Sequence, residues 1–149
     1  MKVCEEFYIN GEWVKPVNDL KTLDVINPAT EEVFGRIALG DKDDVDAAVE
    51  AAYNAFESFG YSSVDERVSL LEKILEVYQG KYDEIAETIS SEMGAPIGLS
   101  KAAQAATGLG HFSTALETLK NYKFEEVKGS ALIRKEPIGV VGMITPWNW

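Results

Sequence analysis

The sequence predicts an α/β fold, and three observations carry that prediction. The first forty residues fall into short β-prone runs broken by Asn-Gly and Asn-Pro turns. Residues 41 to 122 keep helical spacing of apolar side chains behind recognisable caps. Ile138-Gly139-Val140-Val141-Gly142-Met143-Ile144 is then apolar throughout, as expected of a strand buried on both faces of a parallel sheet. The composition agrees with a folded domain: 46% of the 149 residues are hydrophobic and 26% charged, which excludes intrinsic disorder as the default.

Phe7-Tyr8-Ile9 and Glu12-Trp13-Val14 flank Asn10-Gly11, a pair that tolerates the positive φ of a tight type I′ hairpin turn. Leu23 to Ile26 and Val33 to Ile37 flank the looser turn Asn27-Pro28-Ala29-Thr30. Isolated hairpins are marginal in water, so both need a larger body to lie on.

Four helices follow. Asp41, with Asp44 three residues on, predicts an N-terminal cap. Behind it Val45, Ala48, Val49, Ala52, Phe56 and Phe59 form an apolar face. Ser63 with Glu66 is a capping-box pattern before Val68, Leu71, Ile74, Leu75 and Tyr78, with Gly80 as the stop. A third helix starts near Tyr82 and ends at Gly94 and Pro96. The fourth runs from about Ser100 to Tyr122, with Leu109, Phe112, Leu116 and Leu119 on one face. Its Gly108 and Gly110 each cost about 1 kcal/mol relative to Ala, and close helix packing is the expected compensation.

Ala131 to Lys135 reads as a strand and Pro137 punctuates it before the apolar run. A parallel strand needs a crossover, usually a helix, to bring in its neighbour, and none follows Thr145-Pro146-Trp147-Asn148-Trp149. The sequence is therefore expected to be cut within a nucleotide-binding-type α/β unit.

Charge and composition remove several function classes. Fourteen Lys and Arg against 25 Asp and Glu give a net charge of −11, without the basic stripe that phosphate binding needs, so no nucleic-acid partner is expected. No apolar run approaches the roughly 20 residues that span a bilayer, and Met1-Lys2-Val3-Cys4-Glu5-Glu6 is no secretory leader. A single cysteine fits a reducing cytoplasm.

Few residues are placed for chemistry. His111, the one histidine, lies beside Phe112 on a helix and reads as a packing or surface residue. Cys4 lies in a charged, frayed terminus ahead of the first strand and is given no nucleophile role. Asp41, Asp43, Asp44 and Asp46 lack the ligand spacing of a calcium loop; capping and dipole compensation explain them, and no metal is expected. Glu92 reads as a helix-end carboxylate. Gly139 and Gly142 do not make a dinucleotide fingerprint. The Thr145-Pro146-Trp147-Asn148 turn is different, because it follows a buried strand at the end where open α/β sheets bind ligands. Asn148 is either a neutral amide donor for an oxygen gaining negative charge or a plain cap of a following helix.

These residues together resemble the aldehyde dehydrogenase family. Phe7 to Val14 is similar to its opening hairpin and Ile26-Asn27-Pro28-Ala29-Thr30 to the turn that follows. Asp44 to Phe59 resembles its alanine-rich first helix, and Glu66-Arg67 with Leu70-Leu71 its second. Glu92-Met93-Gly94-Ala95-Pro96 is similar to a Glu-x-Gly-x-Pro stretch, and Glu136 to Asn148 is the most specific likeness. The resemblance covers essentially the whole chain. It implies the N-terminal third or so of an enzyme that oxidises an aldehyde to an acid with NAD or NADP through a cysteine thioester. The chain divides on that basis into 1–118, the hairpins and helices of the cofactor-binding domain; 119–136, an assembly hairpin that makes homo-oligomers; and 137–149, the first strand and turn of the cofactor-binding sheet. Asn148 is the implied catalytic side chain, as oxyanion donor, and Ile144, Thr145, Pro146 and Trp147 lie beside the cofactor. The family's nucleophilic cysteine and glutamate base have no counterpart here, and Cys4 inherits no role. The isolated chain is expected to be inactive; the alternative is a non-catalytic piece acting only by pairing with partner subunits.

Overall fold

The computed structural model describes residues 1–145. Strands β1 (Lys2–Cys4), β2 (Phe7–Ile9), β3 (Glu12–Val14), β4 (Lys21–Asn27) and β5 (Glu32–Leu39) are followed by helices α1 (Lys42–Phe59), α2 (Val64–Gly80), α3 (Tyr82–Met93) and the short α4 (Ile97–Leu99). A π-helical turn at Ser100–Gln104 leads into α5 (Ala105–Asn121), and β6 (Glu125–Lys128) and β7 (Ala131–Arg134) close the order.

Both N-terminal hairpins form. In β2–β3, Ile9 faces Glu12 across Asn10 and Gly11, whose φ values of 54° and 82° are the pair a type I′ turn requires. In β4–β5, Asp24 faces Arg36, and their side chains pair at 2.7 Å. That carboxylate holds the guanidinium pKa above its ordinary value. The terminus departs from expectation. Lys2–Cys4 is not frayed but lies parallel to β5, giving the sheet order β1-β5-β4. Its reason is non-local: β5 has a free edge, and three residues of backbone satisfy it.

Local chemistry sets where the helices begin. The Asp41 side chain accepts from the Asp43 amide at 2.9 Å, while Asp44 reaches back to the Asp41 amide at 2.9 Å. Asp44 is buried, and its second oxygen accepts from the Val17 amide at 2.8 Å, so the cap also ties down the loop after β3. Ser63 and Glu66 form the second capping box, with the Ser63 amide donating to Glu66 at 2.7 Å. Gly94 ends α3 with φ 71°, and a Cβ there would stand 2.8 Å from Pro28 Cγ. The two turn motifs therefore meet.

Among the described residues, helices α2, α3 and α5 form the packed layer. Tyr78 of α2 lies across α5 and donates its hydroxyl to Ala105 O at 2.9 Å; burial pushes its pKa up and keeps the proton on. A Cβ on Gly108 would stand 2.2 Å from that hydroxyl oxygen, so close packing does explain this glycine. Gly110 faces open space, and packing does not explain it. The fully buried residues of this layer are Ala86, Ala105 and Ser100, and Ser100 donates to Gln104 Oε1 at 3.0 Å. The uniform fourth helix expected from Ser100 is instead divided by the π turn, whose Lys101 carbonyl accepts from the Tyr82 hydroxyl.

The chain exposes 11395 Å². That is half as much again as the roughly 7,500 Å² expected of a compact monomer of 16.4 kDa. Much of the predicted apolar face of α1 lies open, with Val45, Val49 and Phe59 all exposed.

Candidate functional site

The route to the site begins at the hairpin β6–β7, which turns through Gly129 at φ 61° with Lys128 facing Ala131. Its root is fixed by aromatic contacts rather than a core. Tyr122 and Phe124 meet edge-on at 4.8 Å between ring centres, Arg67 of α2 lies 4.7 Å over Phe124, and Lys135 lies 4.4 Å over Tyr122. Such cation–ring contacts are worth about 0.5–1 kcal/mol each at exposed sites. The Lys135 amide donates to Phe124 O at 2.8 Å, and Arg134 pairs with Glu125 at 2.8 Å. The chain thus leaves the hairpin at a defined point.

Beyond it, Pro137 to Thr145 is irregular, which corrects the expected buried strand. A strand exists only through a ladder, and among the described residues no other strand lies beside this segment. Val141, Met143 and Ile144 are exposed, Ile144 by 99%. Thr145 is exposed too, while Pro146, Trp147 and Asn148 lie outside the described residues. Of the predicted site residues, the structure therefore places Ile144 and Thr145 alone, side by side on an open segment. An open groove of about 970 Å³ runs between the end of α1, the start of α2 and the hairpin, and it reaches this segment only at Pro137 and Gly139. The described residues around Ile144 and Thr145 do not close into a cofactor pocket.

The other candidates settle readily. His111 is exposed and lines a shallow groove of about 440 Å³ along α5 with Thr114 and Thr118. Cys4 is a free, exposed thiol within β1. Asp41 and Asp43 both accept from the Asn18 amide, at 2.9 and 2.8 Å, which makes the acidic cluster a cap and a loop clamp. That Asn18 hydrogen bond, with the Asp43 backbone, holds the Asp41 pKa below the usual carboxylate range. Sequence reasoning missed Asn18 and Val17, which signal nothing locally. Among the described residues no cluster of His, Cys, Asp or Glu is arranged to hold a metal, and no helix is long and apolar enough to cross a membrane.

Hairpins on a helical layer, an antiparallel arm and an apolar segment running on from it define a piece of a mixed α/β protein. A family model, the aldehyde dehydrogenase family, matches residues 13–149, and the chain belongs to that family. A Staphylococcus aureus protein provisionally named aldehyde dehydrogenase is 53% identical over 142 residues, which is 95% of this chain and 30% of that protein. The structure of an aldehyde dehydrogenase from Bartonella henselae superposes with a TM-score of 0.83 at 41% identity, over 87% of this chain and 28% of that one. Aldehyde dehydrogenase C of Pseudomonas syringae, crystallised as a mutant with NAD+ and octanal, gives a TM-score of 0.88 at 38% identity, over 91% of this chain and 28% of that one. The chain thus spans about 30% of the length of the curated relatives it matches.

Proposed function

We propose that this chain supplies the N-terminal part of an enzyme that oxidises an aldehyde to a carboxylic acid with NAD or NADP, through a thioester on a cysteine outside these 149 residues. The observation that supports the reading most is the family match running unbroken through Ile144, Thr145, Pro146, Trp147 and Asn148. The Pseudomonas relative, with NAD+ and octanal bound, favours a nicotinamide dinucleotide and an aldehyde as the ligands.

In this reading Asn148 is the catalytic side chain contributed here. Attack of a thiolate on an aldehyde leaves negative charge on the former carbonyl oxygen, and a preorganised amide N–H stabilises that charge better than water does. Ile144, Thr145, Pro146 and Trp147 flank the cofactor through their backbone. Hairpin β6–β7, exposed along all eight residues, is the arm through which subunits assemble into homo-oligomers. The cytoplasm is the expected compartment. The 149-residue chain alone has no turnover, because hydride transfer from an aldehyde requires a covalent adduct first.

The test uses a single-chain chimera in which this sequence replaces the matched 142 residues of the Staphylococcus aureus relative. Asn148→Ala there lowers kcat by about 10²–10³. A normal burst of NADH with stability down by about 1 kcal/mol makes Asn148 a helix cap instead.

A further inference from the structure

We propose that Asn10 is a site of spontaneous covalent modification, where asparagine converts to aspartate and isoaspartate and the tip of the first hairpin loosens. The site stands apart from the catalytic reading, since the reaction needs only water and the hairpin itself.

The reaction needs a side-chain carboxamide and the next backbone amide, both free and uncrowded. Six asparagines occur in the sequence, and five lie among the described residues. Asn18 donates its side-chain amide to Asp41 and Asp43. Asn27 is followed by Pro28, which has no N–H, and its Oδ1 accepts from the Ala29 amide. Asn121 donates to Glu117 O and Oε1, at 2.9 and 2.8 Å. Asn54 sits within α1, where the Ala55 amide is held in the helical ladder. Asn10 is exposed at a hairpin tip, and the residue after it is glycine. A Cβ on Gly11 would meet nothing within 4 Å, so no side chain shields that amide. The ladder closes with Ile9 facing Glu12, outside the turn, and leaves the Gly11 amide out of it.

The Gly11 nitrogen attacks Asn10 Cγ, and the new N–C bond closes a five-membered succinimide. The side-chain nitrogen leaves as ammonia, carrying the proton that the Gly11 amide gives up. Water then opens the ring at either carbonyl, with no change in oxidation state. Opening on the Cγ side gives aspartate, which tolerates the φ of 54° as asparagine does. Opening on the main-chain side gives isoaspartate, whose backbone runs through Cβ and Cγ and is one CH2 longer. A two-residue type I′ loop has no place for that carbon, so Ile9 and Glu12 lose their register. The change stays at the tip, because the base of the hairpin is pinned elsewhere. Phe7 lies against Gly40, where an added Cβ would stand 3.2 Å from its ring, and the Val17 amide donates to Asp44.

The experiment ages the folded 149-residue chain in mildly alkaline buffer, then digests it in weak acid with a protease that cuts after glutamate. The peptide Phe7–Glu12 reports Asn10 alone. It is expected to gain the mass of an NH2-to-OH exchange about tenfold or more faster than the peptides carrying Asn18, Asn27, Asn54 or Asn121. The product elutes as two isomers, one of which an isoaspartyl methyltransferase labels. In the aged chain the amides of Ile9 and Glu12 lose protection from exchange, while that of Val17 keeps it. Asn10→Gln, whose ring closure is slower, removes the mass change, and freshly made Asn10→Asp keeps the protection. An aged chain in which Asn10 is intact, or converts no faster than the helical Asn54, overturns the proposal. Conversion that appears only in urea overturns it too, since the folded turn then protects its asparagine. Conversion to aspartate alone, with Ile9 and Glu12 still protected, overturns the loosening of the hairpin.

Discussion

The helical layer and the arm that follows it are built on opposite principles. In α2, α3 and α5, small residues let elements approach until hydroxyls reach backbone: Tyr78 fits only because residue 108 has no side chain. From Tyr122 to Thr145 the contacts include ring edges, cations over rings, an ion pair between Arg134 and Glu125 and one hairpin ladder, and every residue of β6 and β7 is exposed. The layer holds itself together, whereas the arm is positioned and left uncovered. Stability belongs to the first region and the candidate site to the second.

Amide exchange separates the two most widely. Amides of α2 and α5 exchange by the slowest openings of the chain, and those of Ile138–Ile144 at nearly the rate of an unstructured peptide, a gap of orders of magnitude. Equal protection across both regions breaks the comparison. The next largest effects come from the close approaches. Gly108→Ala and Gly94→Ala each destabilise by about 1–3 kcal/mol in urea unfolding, the first by overpacking Tyr78, the second by adding left-handed backbone strain to a clash with Pro28. Asp44→Ala costs about 1–2 kcal/mol, because it removes half a capping box and frees the Val17 amide.

Acid acts on the same helix starts. Asp41 is held below its ordinary pKa first by the Asn18 hydrogen bond, and Glu66 by the Ser63 backbone amide. A lowered folded pKa means that their contribution is complete above the ordinary carboxylate range, about pH 4–4.5. It is lost as pH falls through the lowered values. Helicity followed by circular dichroism from pH 6 downward shows the loss beginning below that range, and Glu66→Gln removes the part due to Glu66. The smallest effect is at Ile144→Ser, within about 0.5 kcal/mol, since a side chain 99% exposed has nothing to lose.

What the sequence revealed was local. Asn10-Gly11, the two capping boxes and the Gly94 stop each specify their geometry within four residues, and each is present. Pairing at a distance was not legible. The β1–β5 ladder joins residues more than thirty positions apart, and Val17 meets Asp44 only after the hairpin has folded back. At the site, the apolar run Ile138–Ile144 was visible, but a strand is a property of two segments, and its partner is not among the described residues. The apolar face of α1 misled for the same reason, since periodicity shows which side wants a partner without saying that one is there.

The π turn at Ser100–Gln104 has its own arithmetic. Each helical residue advances the chain by about 100°, and a π turn absorbs one residue more than an α turn. It therefore works as a phase shifter set between the Gly94–Pro96 joint and α5. Ser100, Tyr82 and Gln104 lock the shifted setting through the Lys101 carbonyl and the Ser100–Gln104 hydrogen bond. Deleting one residue from this turn would leave a plain α turn with Gly108 still beneath Tyr78, whereas deleting one from the regular helix between the turn and Gly108 would bring the bulkier Leu109 into its place.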